Sequence, residues 1–197
     1  MRHLPNLICL ARIALVWPIL VSLDSGDYAL AVVLFVVAAV SDGLDGYLAK
    51  RFGWTSEFGK FIDPLADKLL LVAVFVESTW LGLVPWWLAA AAVARDVMIG
   101  LGALIFRLWF GPLRGRPTIV SKVNTLLQLG YLLGVMMLAA FEFPPREIIE
   151  ALAVITFVTT VLSGGDYILA FTRRAWDEPT SPPGGMAAAS PGKAGRQ

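Results

Sequence analysis

Six apolar stretches dominate this chain, each near the roughly 17 to 25 residues that carry a helix across a hydrocarbon core about 30 Å thick. They cover residues 6–23, 28–49, 60–80, 84–108, 120–141 and 147–172, separated by short polar, basic or Pro/Gly-containing breaks. A soluble core is a poor home for six such runs. With 57% of the 197 residues hydrophobic and 16% charged, lipid is the solvent that accounts for them. The expected fold class is therefore all-α integral membrane, with six transmembrane helices.

The breaks alternate in character, and the alternation orients the chain. Lys50, Arg51 and Lys60 lie between the second and third stretches, and Arg107, Arg114 and Arg116 between the fourth and fifth, with Lys122 just inside the fifth. Arg2 precedes the first stretch and Arg173-Arg174 follow the last. The other breaks carry Asp24, Asp27, Glu142, Glu147 and Glu150 against a single Arg146. By the positive-inside rule, both termini and the basic connections face the cytoplasm. This describes a multi-pass protein of a bacterial-type inner (cytoplasmic) membrane.

The first stretch runs to Leu23 and ends in Asp24-Ser25-Gly26-Asp27, with no small-residue cleavage site, so it reads as a retained span. After Trp176 the composition turns to Pro, Gly, Ala and Ser. The expected organisation is a membrane domain over residues 1–176 and a disordered cytoplasmic tail over 177–197. Cys9 is the single cysteine, which excludes an intramolecular disulfide. His3, the single histidine, sits at the amino terminus, which sets aside a histidine-based catalytic pair. The formal net charge of +1 says little about partners, and no nucleic acid is expected among them.

Against this background four aspartates stand out. Asp42 and Asp45 close the second stretch, and Asp63 and Asp67 open the third, on the same cytoplasmic side. Spacings of three and four put each pair on one helix face. A carboxylate at the membrane centre costs roughly 2.5–3.5 kcal/mol on insertion scales, less near the interface, so four of them require compensation. Lys50, Lys60 and Lys68 are poorly placed to neutralise them all. Four hard oxygen donors on two antiparallel helices suit divalent cations such as Mg²⁺, which binds a few carboxylates together with waters and substrate phosphates. Two such ions are able to bridge a pyrophosphate. An ion-permeation path or a structural carboxylate cluster remains open on spacing alone. Gly46, Ala49 and Gly59 leave room for a close-approaching ligand between the pairs, although small residues in membrane helices also serve helix packing.

Together these residues read D-x2-D-G-x2-A-K-x8-G-x3-D-x3-D from Asp42 to Asp67. This resembles the signature of the CDP-alcohol phosphotransferase family, with its spacing intact. Leu4-Pro5-Asn6-Leu7, with Arg12 five residues on, is similar to the opening of bacterial and mitochondrial phospholipid synthases in the same family. One departure is Lys50, where the family pattern has arginine; the charge is kept, the bidentate fork is lost, and Arg51 follows directly.

The resemblance implies six transmembrane helices, usually in a homodimer, with the site open to the cytoplasm. It implies Asp42, Asp45, Asp63 and Asp67 as ligands of two Mg²⁺ ions, with Mn²⁺ as a substitute, and Asp67 also as the general base. Asp45, Gly46, Ala49 and Gly59 would line the CDP pocket, with Lys50 or Arg51 near the phosphates and Asn6 near the nucleotide. The implied substrates are CDP-diacylglycerol and a glycerol-type lipid acceptor, with membrane lipids as surroundings.

The segment from Phe58 to Lys68 is similar to both phosphatidylglycerophosphate synthases and CMP-forming cardiolipin synthases. Arg95-Asp96-Val97-Met98 and the run from Arg116 to Gln128 look more like the cardiolipin branch. Where phosphatidylglycerophosphate enzymes tend to have Gly-Lys-x-Lys-Thr, this chain has Ser121-Lys122-Val123-Asn124-Thr125. Losing the second lysine weakens the case for an acceptor bearing a dianionic phosphate. Arg95, Lys122 and Asn124 are the candidate acceptor residues.

Simpler readings accompany several of these. Adjacent residues do not face each other on a helix, which leaves Arg95 and Asp96 between a self-neutralising pair and an acceptor role. Arg114 and Arg116 fit topology signals or contacts to anionic lipid. Trp80, Trp86, Trp87 and Trp109 fall near span boundaries, as interfacial anchors do. Gly130 and Gly134 form a small-x3-small pattern suited to packing helices or a dimer. Asp166 is an intramembrane carboxylate without an obvious partner. A small ion-coupled transporter is the alternative from another class, but such folds often carry internal repeats and the acidic cluster occurs once.

Overall fold

The breaks that interrupt the apolar runs act through specific backbone chemistry. Gly26 ends the first helix with φ 78° and Gly82 ends the third with φ 72°, a left-handed conformation that costs glycine little. Asp27 then accepts a hydrogen bond from the Leu30 amide at 3.0 Å, capping the next helix. The Ser78 carbonyl accepts from the Leu83 and Val84 amides, and the Pro85 carbonyl opens the following helix by accepting from Leu88.

In the computed structural model the backbone is described for residues 4–52, 59–110 and 119–177, and side chains for 12–41, 68–102 and 119–169. These residues form six helices and no strand: α1 (Leu4–Asp24), α2 (Tyr28–Phe52), α3 (Gly59–Trp80), α4 (Trp86–Phe110), α5 (Ile119–Phe141) and α6 (Arg146–Asp177). Each matches one expected stretch, with ends displaced by a few residues. The largest difference is at α6, which continues to Asp177 instead of stopping at residue 172. No breaker intervenes before Pro179, and Arg173-Arg174 are favoured near a helix carboxyl end. The proposed tail, apart from Asp177, lies outside the described residues, as do His3, Arg114 and Arg116.

Helix α1 packs against α2 and α3, α5 against α2 and α6, and α4 against α6 and less extensively α3. The interior is apolar where these helices meet: Ile19, Leu23, Phe35, Ala38, Val74, Phe75, Leu88, Leu132 and Met136 are all buried. Phe75 stacks on Tyr131 with ring centroids 6.4 Å apart, joining α3 to α5.

The outside is apolar as well. Val33, Val37 and Val40 on α2 and Val154, Val158 and Val161 on α6 are exposed at helical spacing. On α6, Thr156, Thr160 and Ser163 point inward instead. Polar side chains inside and branched apolar ones outside is the partition expected in lipid. Among the described residues, Ile119–Phe141 and Arg146–Leu169 are long and apolar enough to cross a membrane. Trp80 and Trp86 are exposed at the α3–α4 turn, and Trp87 meets Phe157 edge-on at 5.1 Å.

Gly134 faces α6, where a Cβ would come 2.8 Å from Ile149 Cδ1, while Gly130 faces open space. The two glycines of the small-x3-small pattern therefore have different surroundings.

Candidate active site

The aspartates sit on helices, as their spacing requires. Asp42 and Asp45 fall in the last turns of α2, Asp63 and Asp67 in the first turns of α3. Counted from the helix ends at 1.5 Å per residue, the four Cα atoms lie at depths of about 6 to 15 Å. Gly46, Ala49, Lys50 and Arg51 share the same part of α2, Gly59 begins α3, and Asn6 is in α1, which packs against both. The side chains of these residues lie outside the described set, so their place is given by helix and register. The donor chemistry fits a hard divalent cation: four carboxylates on two consecutive helices, with Lys68, one of the basic residues on these helices, already paired with Asp96.

Directly after Asp67 the side chains are described, and there a polar network begins. Lys68 Nζ donates to Asp96 Oδ1 at 2.6 Å, and Arg95 Nη1 donates to the same oxygen at 2.6 Å. Arg95 Nε and Nη2 both donate to Ser163 Oγ, at 3.2 and 2.6 Å, and Nη2 also donates to Ser121 Oγ. Arg95 is 4% exposed, and the Asp96 side chain 6%. The network thus joins α3, α4, α5 and α6. A Cβ at Gly164 would make only ordinary contacts, with Met98 Cε at 3.5 Å and Arg95 Cγ at 3.9 Å, so this approach does not depend on glycine there.

The adjacency of Arg95 and Asp96 therefore misleads. Their Cα–Cβ bonds diverge, but a guanidinium on a three-carbon stem reaches back to the neighbouring carboxylate. Sequence reasoning named the pair and missed Ser121 and Ser163 as its partners. Lys68 entered only as a general counter-charge, although its position next to Asp67 was a usable signal.

A second polar seam lies between α5 and α6. Asn124, completely buried, accepts at Oδ1 from the hydroxyls of Thr159 and Thr160 at 3.0 and 2.9 Å. Gln128, one turn along, is also completely buried and approaches Thr160 Oγ1 with Nε2 at 3.5 Å. Asn124 Nδ2, Gln128 Oε1 and Thr156 Oγ1 have no hydrogen-bond partner among the described residues. Lys122 is exposed and makes no ion pair among them. Asp166 is half-buried and likewise has no ion pair among them.

The family profile described as CDP-alcohol phosphatidyltransferase matches residues 2–162, which takes in all four aspartates and, apart from Ser163, both polar assemblies. The chain belongs to this family. CDP-alcohol phosphatidyltransferases are generally dependent on a divalent metal, in keeping with the carboxylate donors on α2 and α3.

Individual relatives divide by acceptor. The chain is 31% identical over 179 residues to a probable CMP-forming cardiolipin synthase of Drosophila melanogaster, covering 81% of this chain and 56% of that one. It is 32% identical over 191 residues to a CDP-diacylglycerol–glycerol-3-phosphate 3-phosphatidyltransferase of Bacillus subtilis, covering 85% and 94%. A probable phosphatidylglycerophosphate synthase of Mycobacterium tuberculosis is 30% identical over 183 residues, covering 84% and 80%. The chain thus spans little more than half of the fly protein and nearly all of the Bacillus one.

Proposed function

We propose that this CDP-alcohol phosphatidyltransferase is a six-span enzyme of the cytoplasmic membrane that transfers a phosphatidyl group from CDP-diacylglycerol to phosphatidylglycerol, forming cardiolipin and releasing CMP. Residues 1–176 are its membrane domain and 177–197 its tail, both termini are cytoplasmic, and it acts as a homodimer with the site open to the cytoplasm. The observation that carries the activity is the unbroken spacing from Asp42 to Asp67, divided between two consecutive helices within the family match.

The acceptor hydroxyl gives its proton to Asp67, and its oxygen bonds to the β-phosphorus that carries diacylglycerol. The phosphoanhydride bond to the α-phosphate breaks, and CMP leaves with the bonding pair. Two bound Mg²⁺ ions, or Mn²⁺ in their place, supply charge neutralisation at the pyrophosphate. Asp42, Asp45, Asp63 and Asp67 hold them. Gly46, Ala49 and Gly59 let the nucleotide approach the backbone, Lys50 or Arg51 pairs with phosphate, and Asn6 contacts the nucleotide. Rate enhancement rests on positioning and electrostatic stabilisation.

Support for a lipid acceptor comes from position 124. A neutral amide enclosed by threonine hydroxyls suits a glycerol hydroxyl better than a dianionic phosphate. Asn124 and Lys122 are its proposed acceptor contacts. Glycerol 3-phosphate is the second reading, favoured by the names of the Bacillus and Mycobacterium relatives and by the exposed amino group of Lys122.

The deciding experiment offers purified enzyme CDP-diacylglycerol with phosphatidylglycerol and glycerol 3-phosphate in competition, and identifies the lipid product by mass spectrometry. Cardiolipin as the main product, lost on chelation and restored by Mg²⁺, is expected. Phosphatidylglycerophosphate as the main product overturns the acceptor reading, and no CMP from either acceptor overturns the activity.

A further inference from the structure

The Arg95 guanidinium is one of the most deeply buried charges among the described residues, and each of its three nitrogens already donates within the protein. A group so occupied has little left to offer an acceptor. Its bonds lead elsewhere: through Asp96 Oδ1 to Lys68, the residue that follows Asp67 on α3. Ser163 fixes the other side of the guanidinium to α6, and Ser121 fixes its tip to the first turn of α5.

We infer that Lys68, Asp96 and Arg95 form a positioning brace that sets the rotation and depth of the amino-terminal half of α3, and with it the carboxylates of Asp63 and Asp67. Arg95 is thereby assigned a positioning role in place of an acceptor contact. The inference rests on the proposed activity, since it gives Asp67 the work the brace supports.

Three features carry it. The Lys68–Asp96 ion pair is the described charged link between α3 and α4, whose packing on each other is otherwise limited. Asp96 receives two cations on one oxygen, so its loss frees Lys68 and leaves the buried guanidinium, still held by Ser121 and Ser163, without its carboxylate. Rotating α3 by one residue position turns every side chain on it by about 100°, so the register of α3 decides whether its two aspartates are able to share ions with the two on α2, as the proposed activity requires. Partners that orient metal-binding groups from behind typically change metal affinity or activity by about 10- to 100-fold when removed.

The test uses the full-length protein in detergent micelles, with Asp96→Asn and Lys68→Met beside the wild type. Mn²⁺ binding is read directly from the loss of the free-ion paramagnetic resonance signal, without turnover. CMP release is then measured against Mg²⁺ and against acceptor concentration. The brace predicts a dissociation constant for Mn²⁺ raised about tenfold or more, a matching fall in kcat, an acceptor KM changed by less than about twofold, and recovery in Lys68→Arg.

Wild-type Mn²⁺ affinity and kcat in both variants overturn the brace while leaving the activity intact. A raised acceptor KM with unchanged metal binding in Arg95→Lys overturns it in favour of an acceptor contact. Wild-type enzyme that binds Mn²⁺ but releases no CMP overturns the proposed activity instead. Should Asp96→Asn fail to fold, Lys68→Met removes only the more exposed end of the network, at 35% side-chain exposure, and serves alone.

Discussion

Replacing Asn124 with leucine ought to damage the enzyme without destabilising the protein, an unusual expectation for a completely buried polar residue. Asn124 contributes two accepted hydrogen bonds, from Thr159 and Thr160. Between membrane helices such bonds average about 0.6 kcal/mol each, so their loss costs about 1 kcal/mol together. Neither threonine is stranded, because each hydroxyl also reaches the Thr156 carbonyl, at 3.0 and 2.7 Å. Against this cost stands Asn124 Nδ2, buried without a partner among the described residues. Removing an unsatisfied buried donor recovers about 1–3 kcal/mol. The two effects cancel or leave a small gain.

Thr160→Val is the informative contrast. It deletes the donor to Asn124 and the acceptor that Gln128 Nε2 approaches, and Gln128 Oε1 already lacks a partner among the described residues. That leaves a buried amide with both ends unmet, at a cost of about 1–3 kcal/mol. Thermal unfolding in detergent micelles, followed by circular dichroism, gives the ranking. We expect the Tm of Asn124→Leu at or above wild type and that of Thr160→Val below it. In the CMP-release assay Asn124→Leu should raise the acceptor KM by about tenfold, or about 1.4 kcal/mol, if its free amide serves the substrate. A Tm for Asn124→Leu below that of Thr160→Val would refute the reasoning, because Asn124 would then be a structural residue whose hydrogen bonds outweigh its unmet donor.

Asp67→Asn keeps shape and one acceptor oxygen but loses the base, so turnover should fall by at least about 10²-fold while CDP-diacylglycerol binding, measured by equilibrium dialysis of a soluble short-chain analogue, stays close to wild type. Unchanged turnover would remove Asp67 from the role of base. Gly134→Ala should shift stability by less than about 1 kcal/mol, because the Ile149 methyl it meets is the far end of a side chain and alanine is the better helix former. Gly134→Phe should lower the Tm through overpacking of α5 against α6, whereas Gly130→Phe, facing open space, should not; equal effects would show that the α5–α6 contact is misassigned.

The parts of this fold that the sequence made legible are those governed by local rules. Apolar runs with Gly, Pro and Asp breaks located all six helices, because Gly26, Gly82 and Asp27 act on their own few residues. The placement of the four aspartates on two consecutive helices was legible for the same reason: a spacing of three or four has one meaning on a helix. The polar assemblies were not, because they depend on which helix faces which. Nothing in the chain order announces that Arg95 will meet Ser163 or that Asn124 will meet Thr160, 68 and 36 residues away. Thr156, Thr160 and Ser163 do recur at spacings of four and three, and that inward polar stripe on an otherwise apolar α6 was the available clue.

The two assemblies also bear on each other through depth. Arg95 touches Ser121 on α5 and, through Asp96, Lys68 on α3, so one polar network links the start of α5 to the residue that follows Asp67. Asn124 follows Ser121 by three residues, about 4.5 Å farther along α5, and Gln128 by seven, about 10 Å. Helices α3 and α5 start at the same end of the bundle, because α4 returns the chain between them. Counted from the helix starts, Asn124 lies about 7.5 Å along α5 and Gln128 about 13.5 Å, against about 12 Å for Asp67 on α3, so the two unmet amides bracket the depth of the proposed base. An acceptor whose reacting hydroxyl reaches Asp67 would therefore bring its neighbouring polar groups to the level of these amides, and in the proposed reaction a glycerol hydroxyl would give Asn124 Nδ2 the acceptor it lacks.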